Sequence, residues 1–226
     1  MDRKIYAVVV AGGSGTRMGA GEPKQFLRLA GKRILQRTIE NLADAVPGVK
    51  IITVLPADCL TLWKDMCVAD SFDFPQTLVA GGLTRFLSVR NALAKVPDGA
   101  VVAIHDGVRP FASPELLRRM LSMMSETTRA LIPVVPVIDT LKSVDPAIPD
   151  PQRSKTVAVQ TPQIFLSEDI KKAYARPYDP SFTDDASVAA RIGIPVALTE
   201  GERFNIKITT PEDLVFGEAI LSLKRP

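Results

Sequence analysis

A glycine-rich stretch near the N-terminus contains residue types that bind phosphate groups. Residues 11–15 read Ala-Gly-Gly-Ser-Gly and follow the apolar run 6–10, and Arg17 and Lys24 lie a few positions further along the chain. A glycine turn after a strand exposes successive backbone N–H groups, which phosphate oxygens can approach closely because glycine has no side chain. Two cations beside such a loop would add positive charge. The pattern predicts a site for the phosphates of a nucleotide.

Two common nucleotide-binding motifs are excluded by the order of the residues. Gly-x-Gly-x-x-Gly would require a glycine at position 18, where the chain has Met18, and no Gly-Lys-Ser/Thr triplet of a P-loop follows the glycines. An ordinary strand-to-helix turn with solvated charges is the alternative interpretation. The arginine and the Pro23–Lys24 pair at short distance favour phosphate binding over that alternative.

Three further loops carry polar residues where a doubly wound sheet collects its functional groups, beyond the carboxyl ends of its strands. They contain Gly81, Gly82 and Ser88, then Asp106 and Arg109, then Asn205 and Lys207. Asp106 is suited to hold Mg²⁺ and Arg109 to bind a substrate phosphate, and an ion pair that braces the loop is the alternative for both. Lys207 suits a second phosphate or a metal-bound triphosphate, and we expect it to share a strand face with Asn205.

Short apolar runs alternate with amphipathic segments, which is typical of a doubly wound α/β sheet. We predict strands at 5–10, 50–55, 77–79, 101–104 and 130–137, and a strand pair at 196–198 and 204–208. We predict helices at 34–45, 60–68, 85–93, 114–124, 167–174, 184–192 and 211–223. Ser113 is expected to cap the helix that begins at Pro114.

Residues 138–159 differ from the rest of the chain. They include three prolines and several charges and have no helical period. We interpret them as a protruding hairpin or arm, a common site of exchange between subunits, and a long surface loop is the alternative. Since no repeat or linker is visible, residues 1–226 are interpreted as a single domain with this arm.

The composition is that of a globular protein with a small positive charge. The 226 residues are 46% hydrophobic and carry a formal net charge of +3, without a basic run. This balance argues against nucleic-acid binding and suits a small anionic substrate.

Cys59, Cys67 and the single histidine, His105, form no conventional zinc site, and we interpret His105 as a packed, hydrogen-bonded residue. With no signal segment or membrane-spanning run in the sequence, we expect a cytoplasmic protein.

Six motifs occur in an order that resembles a known family. They are Ala-Gly-Gly-x-Gly-x-Arg-Met with Pro-Lys-Gln-Phe, His-Asp-x-x-Arg-Pro, Asp139–Thr140, Gln-Thr-Pro-Gln at 160–163, Thr-Asp-Asp-Ala-Ser at 183–187 and Asn-Ile-Lys at 205–207. The chain resembles the 2-C-methyl-D-erythritol 4-phosphate cytidylyltransferases over essentially its whole length. The resemblance implies a Rossmann-like fold of the nucleotide-diphospho-sugar transferase type, CTP and methylerythritol phosphate as substrates, Mg²⁺, and a homodimer formed through the arm.

The resemblance also implies roles for individual residues. Catalytic roles fall to Arg17 and Lys24 at the triphosphate and to Arg153 and Lys207 at the sugar phosphate, with Arg153 reaching from the arm into the partner's site. Substrate binding falls to Ala11, Gly12, Gly13, Gly15, Thr16, Gly81, Gly82, Ser88, Asp106, Arg109, Thr140, Thr161 and Thr183. Asp106 is the expected Mg²⁺ ligand.

The chain departs from the family pattern at Leu83, where an acidic residue is frequent, and at Val108, where a smaller residue is frequent. Without an acidic side chain at position 83, base recognition would depend on backbone groups. The larger side chain of Val108 would reduce the volume of the sugar pocket. Val108 and Phe111 favour a ribitol-5-phosphate cytidylyltransferase, whereas the seven-residue distance from Arg17 to Lys24 favours methylerythritol phosphate. A sugar-1-phosphate nucleotidylyltransferase and a non-catalytic nucleotide-sensing domain of the same fold are further alternatives.

Overall fold

Strands and helices alternate along most of the chain in the computed structural model, which describes residues 3–13 and 22–223. The strands are β1 (Ile5–Val10), β2 (Arg28–Leu29), β3 (Lys32–Arg33), β4 (Lys50–Leu55), β5 (Gln76–Ala80), β6 (Val101–Asp106), β7 (Ala130–Pro136), β8 (Val157–Val159), β9 (Gln163–Leu166) and β10 (Ala197–Glu200). The helices are α1 (Ile34–Ala45), α2 (Cys59–Ala69), α3 (Arg85–Leu93), α4 (Pro114–Met123), α5 (Ser167–Tyr174), α6 (Asp185–Ala190) and α7 (Pro211–Leu223).

Within the described ranges, eight of the strands form one mostly parallel sheet in the order β10-β7-β9-β6-β1-β4-β5, with β8 paired to β7. β1 lies parallel to both β4 and β6, and β4 lies parallel to β5. Two strands run antiparallel to their neighbours: β9, which pairs with β6 and β7, and β8, which pairs with β7. The carboxyl ends of β1, β5 and β6 therefore lie along one edge, with a crevice beside β1 where successive connections turn to opposite sides.

Helices cover both faces of this sheet because its strands are apolar on both sides. Ala7 and Val9 of β1 pack in one core cluster with residues of α1, α2 and α4. Val8, which points the other way, packs in a second cluster with residues of α3, α5 and α6. This arrangement confirms the predicted doubly wound, Rossmann-like fold. No helix in the described part of the chain is long and apolar enough to cross a lipid bilayer.

Residues 137–156 form an arm that leaves the sheet after β7 and returns through β8. The two strands pair antiparallel for three residues, from Val134 opposite Val159 to Pro136 opposite Val157. Beyond that pairing the arm has one short 3-10 helix, Arg153–Lys155, and most of its side chains are exposed. The predicted hairpin is thus confined to the base of the arm.

Several elements match their predicted bounds, among them α1, α3, α5 and α7. Ser113 caps α4 as expected, accepting a hydrogen bond from Leu116 N–H. The predicted strand pair at 196–198 and 204–208 is wrong, because β10 pairs in parallel with β7 and residues 204–208 form no strand. Strand β9 was not predicted, since four buried residues directly after a Thr-Pro turn have no alternating pattern.

Candidate active site

The loops singled out from the sequence meet at the carboxyl edge of the sheet. They line a cleft of about 270 Å³. The cleft receives Gly12 and Gly13 from the first loop, Gly82 from the second, Asp106 from the third and Lys207 from the fourth, together with Lys24. The prediction that these four loops come together is confirmed.

The first loop is fixed at its base by backbone and side-chain hydrogen bonds. Ala11 N–H donates to the carbonyl of Val54 at 2.9 Å, and the buried Gln25 side chain donates to the carbonyl of Ala11 at 2.9 Å. Gly12 and Gly13 then lie exposed in the cleft. Gly15, Thr16 and Arg17 lie outside the described residues, so their predicted roles stay predictions.

Lys24 is positioned by a short 3-10 helix, Lys24–Phe26, whose last residue is anchored in the core. The Phe26 ring is fully buried and stacks on Trp63 with a centroid distance of 5.8 Å. Arg33 donates to the Phe26 carbonyl at 2.8 Å and pairs with Asp70 at 2.7 Å. Lys24 is therefore attached to a rigid segment and lines the cleft with most of its surface buried.

The second loop depends on two glycines and a buried serine. Any side chain at Gly82 would collide with Leu87, and a Cβ at Gly81 would lie 3.0 Å from Ser88 Oγ. Ser88 Oγ accepts a hydrogen bond from Gly82 N–H at 3.0 Å and donates to the Thr84 carbonyl at 2.9 Å. Ser88 thus holds the loop in place while lining the cleft, and the predicted contacts of these residues to cytosine and ribose stay predictions.

Asp106 ends β6 and is surrounded by positive charge. Its Oδ2 lies 3.0 Å from Lys207 Nζ and 3.3 Å from Arg109 Nε, and its Oδ1 lies 3.8 Å from Arg85 Nε. Burial alone would raise the pKa of Asp106, but the charges of Arg85, Lys207 and Arg109 outweigh it and hold the pKa of this carboxyl well below its usual range. Asp106 is therefore ionised at neutral pH.

The Arg109 guanidinium is largely engaged within the protein. Besides its contact with Asp106, it donates from Nη1 to the carbonyl of Asn205 at 2.7 Å. The ion pair considered from the sequence is therefore present. Arg109 also lines a second cleft of about 290 Å³ with Thr161 and Thr183, and this cleft shares Arg85, Asp106 and Lys207 with the first.

A chain of hydrogen bonds through Thr161 and His105 holds the backbone of Asp106 in place. Asp106 N–H donates to Thr161 Oγ1 at 3.0 Å, and Thr161 Oγ1 lies 2.9 Å from His105 Nδ1. His105 Nε2 lies 3.1 Å from the Arg109 carbonyl, which can only accept, so the proton is assigned to Nε2 and Thr161 donates to Nδ1. Burial lowers the pKa of His105 to about 4, so the ring is neutral. The interpretation of His105 as a packed residue is confirmed.

The fourth loop differs locally from its prediction. Since residues 204–208 form no strand, Asn205 and Lys207 do not share a strand face. Asn205 is fully buried and donates to the Thr161 carbonyl at 2.8 Å, whereas Lys207 extends to Asp106 with a half-exposed side chain. The backbone is held instead by Ile208 N–H, which donates to the Val108 carbonyl at 2.9 Å.

Thr140 and Arg153 lie apart from both clefts within one chain. Both belong to the exposed arm, and Arg153 Nη1 donates to the Ile138 carbonyl at 2.9 Å. Neither residue lines either cleft. Their predicted roles therefore stay predictions.

Three residues at or beside the site are absent from the residues predicted from the sequence. Arg85 lines both clefts, and Asp185 pairs with it while fully buried. Asp185 belongs to the Thr-Asp-Asp-Ala-Ser motif and Arg85 follows the second glycine loop, but only their pairing across 100 residues identifies them. Gln163 was likewise missed, and it links β9 to α6 by donating to Asp184 at 2.8 Å and accepting from Ala186 N–H at 2.9 Å.

The departures from the family pattern occupy different environments. Leu83 is 99% exposed and borders the first cleft beside Gly82. Val108 lines the same cleft and packs with Phe111 in a third core cluster. Phe111 is buried against Leu29 and Gly217, so its presence is explained by core packing.

Comparison with known proteins decides the family. A family model described as 2-C-methyl-D-erythritol 4-phosphate cytidylyltransferase matches residues 5–223. The chain belongs to this family. Proteins of that name from Bacteroides thetaiotaomicron and Porphyromonas gingivalis are 45% and 44% identical to it, over 96% and 98% of this chain and the full length of each relative.

Solved structures of family members have the same fold. The 4-diphosphocytidyl-2C-methyl-D-erythritol synthase from Anaerococcus prevotii matches with a TM-score of 0.80 at 31% identity, covering 97% of this chain and 96% of that one. The cytidylyltransferase from Thermus thermophilus matches with a TM-score of 0.72 at 30% identity, covering 95% of this chain and 98% of that one. The cleft described above is therefore the candidate active site of a cytidylyltransferase-family enzyme.

Proposed function

We propose that this protein transfers CMP from CTP to 2-C-methyl-D-erythritol 4-phosphate, giving CDP-methylerythritol and pyrophosphate, a step of non-mevalonate isoprenoid biosynthesis. The family assignment supports the reaction and both substrates. The observation that carries it to this chain is the cleft in which two glycine loops, Lys24 and the Asp106–Lys207 pair meet. The family match favours this reaction over those of a sugar-1-phosphate or ribitol-5-phosphate enzyme.

The two clefts suggest how the substrates are arranged. The glycine loops and Lys24 line the first cleft, which suits the nucleotide because backbone N–H groups and a cation both favour phosphates. Arg109, Thr161 and Thr183 line the second, which suits the sugar phosphate. Asp106 and Lys207 border both, so the reacting groups would meet beside them.

The chemistry requires alignment and positive charge more than proton transfer. An oxygen of the sugar phosphate attacks the α-phosphorus of CTP in line while pyrophosphate leaves, so two anions must approach each other. Lys24 and, in the proposal, Arg17 offset this repulsion and stabilise the leaving group. The nucleophile is already an anion and needs no general base. The buried, neutral His105 is consistent with that.

The described residues do not form a Mg²⁺ site of their own. Asp106, the expected ligand, has both oxygens turned to cations, and no group of three His, Cys, Asp or Glu residues in 3–13 and 22–223 could hold a metal. Direct binding of a divalent cation to Asp106 is disfavoured by that surrounding charge. In the proposal, Mg²⁺ therefore enters bound to the phosphate oxygens of CTP, and it takes no further part.

A homodimer through the arm is also part of the proposal. The arm exposes Ile138, Val144 and Ile148, and a second copy of the chain would cover such apolar side chains. It would also give Thr140 and Arg153 access to a site that they do not reach within one chain. A cytoplasmic location stays a prediction, which cell fractionation would test.

The experiment is a pyrophosphate-release assay with purified protein. We expect release to require both CTP and methylerythritol phosphate, with CDP-methylerythritol identified by mass spectrometry. Release from CTP alone, or no release with both substrates, would overturn the proposed function. The variant Lys32→Ala serves as a control for Lys24 variants, because Lys32 lies eight residues further along the chain and pairs with Glu40 at the surface.

A further inference from the structure

We propose that Arg85 is a positioning residue that Asp185 and Tyr174 fix in place so that it orients the Asp106 carboxylate for the sugar phosphate. The proposal rests on the proposed function and concerns the same site. It assigns a role to Arg85, which lines both clefts, and to Asp185 and Tyr174, which line neither.

Arg85 is held by a two-point contact with Asp185. Its Nη1 donates to Asp185 Oδ1 at 2.8 Å and its Nη2 donates to Asp185 Oδ2 at 2.6 Å. A planar guanidinium matched to a carboxylate in this way has one preferred orientation, which a lysine cannot reproduce. The pair connects the first residue of α3 to the first residue of α6.

Asp185 is itself immobilised from a second side. It has no exposed surface, and Tyr174 donates its hydroxyl to Asp185 Oδ1 at 2.5 Å. The Tyr174 ring stacks on Phe86 with a centroid distance of 4.6 Å, so the hydroxyl comes from a rigid group. A buried carboxylate with two such partners has little freedom to move.

The third side of the Arg85 guanidinium faces the active site. Arg85 Nε lies 3.8 Å from Asp106 Oδ1, while Lys207 and Arg109 both face Oδ2. Each oxygen of the carboxylate therefore has its own cationic neighbour, and a rotation of Asp106 would separate at least one pair. Within this set, Arg85 is the cation that a fully buried carboxylate holds from outside the cleft, whereas Arg109 is held there by a backbone carbonyl.

A second arginine–aspartate pair in the chain helps to distinguish this role from one that only stabilises the fold. Arg129 also pairs with an aspartate, Asp169, at 2.6 Å, and its side chain is as exposed as that of Arg85, 32% in each case. Arg129 lines neither cleft, whereas Arg85 lines both. Asp185 is fully buried whereas the Asp169 side chain is 20% exposed, so Arg129→Lys and Asp169→Asn control for the loss of an arginine–aspartate pair away from the site.

The experiment measures steady-state kinetics for both substrates in Arg85→Lys, Asp185→Asn and the two controls. We expect the KM for methylerythritol phosphate to rise about 10-fold or more in the first two, the size expected for losing one charge-assisted hydrogen bond. The KM for CTP should rise by a smaller factor, since Arg85 also lines the first cleft, and the controls should leave both KM values unchanged. Tyr174→Phe, which keeps the ring stack and removes only the hydroxyl, should change the kinetics in the same direction to a smaller extent. It keeps the proposal testable if the charge variants fold poorly.

A double-variant comparison tests the route through Asp106. In an Asp106→Asn background, calorimetric binding of methylerythritol phosphate should be unaffected by adding Arg85→Lys, since the group to be oriented has lost its charge. A rise in the KM for CTP instead, equal effects of the control variants, or unchanged KM values in a wild-type enzyme that turns over would overturn the positioning role alone. Absence of turnover by the wild-type protein would overturn the proposed function and this role with it.

Discussion

Lys207 Nζ lies 3.0 Å from Asp106 Oδ2, which joins a loop near the C-terminus to the end of a central strand. Asp106 is the last residue of the buried strand β6, while Lys207 comes from a segment without secondary structure that isolated backbone and side-chain hydrogen bonds hold in place. The ion pair therefore brings the cation of an irregular segment to the edge where the glycine loops end. This contact completes the set of charged groups around the cleft.

Lys24→Ala should reduce kcat by on the order of 100-fold or more, as for loss of one group that stabilises transition-state charge. The reason is that the cation acts on charge that develops as pyrophosphate leaves. Initial rates at saturating CTP measure the effect, with Lys32→Ala as the control near the same segment. An unchanged kcat with only a raised KM for CTP would show that Lys24 binds the ground state alone.

Thr161→Val should lower the free energy of unfolding by about 1–3 kcal/mol, because it leaves the Asp106 N–H and His105 Nδ1 buried without a partner. Denaturant titration measures this loss. Thr156→Val is the control, since the Thr156 hydroxyl bonds only to the Gln152 carbonyl in the arm, where water can replace it. Equal losses in the two variants would contradict the supporting role of Thr161.

His105 should make the folded protein less stable as pH falls from about 6.5 toward about 4. Burial lowers the pKa of the folded histidine, so the unfolded chain binds this proton at a higher pH than the folded one. The contribution is complete above pH about 6.5 and amounts to on the order of 3 kcal/mol. Denaturant titrations from pH 7 to 5 measure it, and His105→Gln should show a shallower decline. Identical slopes in the two proteins would refute the assignment.

Arg153→Ala should inactivate the enzyme in a way that a second subunit can complement. If each site combines Lys24 of one subunit with Arg153 of the other, a heterodimer of Lys24→Ala and Arg153→Ala subunits contains one intact site. Refolding an equal mixture should restore about a quarter of the wild-type activity, because half of the dimers are mixed and each has one such site. No recovery, in a mixture shown to exchange subunits, would rule out the shared site.

The sequence predicted those parts of the fold that depend on local pattern. α1 carries apolar residues at helical spacing and matches its predicted bounds, and Ser113 with Pro114 marks the start of α4. β9 was not predicted and residues 204–208 were wrongly predicted as a strand, because the conformation of both is decided by distant partners. The first is enclosed between β6 and β7, and the second is held by Glu202 and Val108 through backbone hydrogen bonds.

The candidate site likewise combines local features, which the sequence predicts, with long-range pairings, which it does not. Glycine turns and cations near strand ends are visible in the sequence, and their loops do meet. Arg85 and Asp185 were not identified, because a pairing across 100 residues leaves no local signal. The ion pair of Arg109 with Asp106 likewise became visible only in the structure, and the role of Arg109 at a substrate phosphate stays a prediction.

The acceptor is tested most directly by competition in one vessel. Equal concentrations of methylerythritol phosphate and ribitol 5-phosphate compete for limiting CTP, and the ratio of the two CDP products, measured by mass spectrometry, gives the ratio of their kcat/KM values. We predict that CDP-methylerythritol is by far the main product. A mixture dominated by CDP-ribitol would contradict the proposed function.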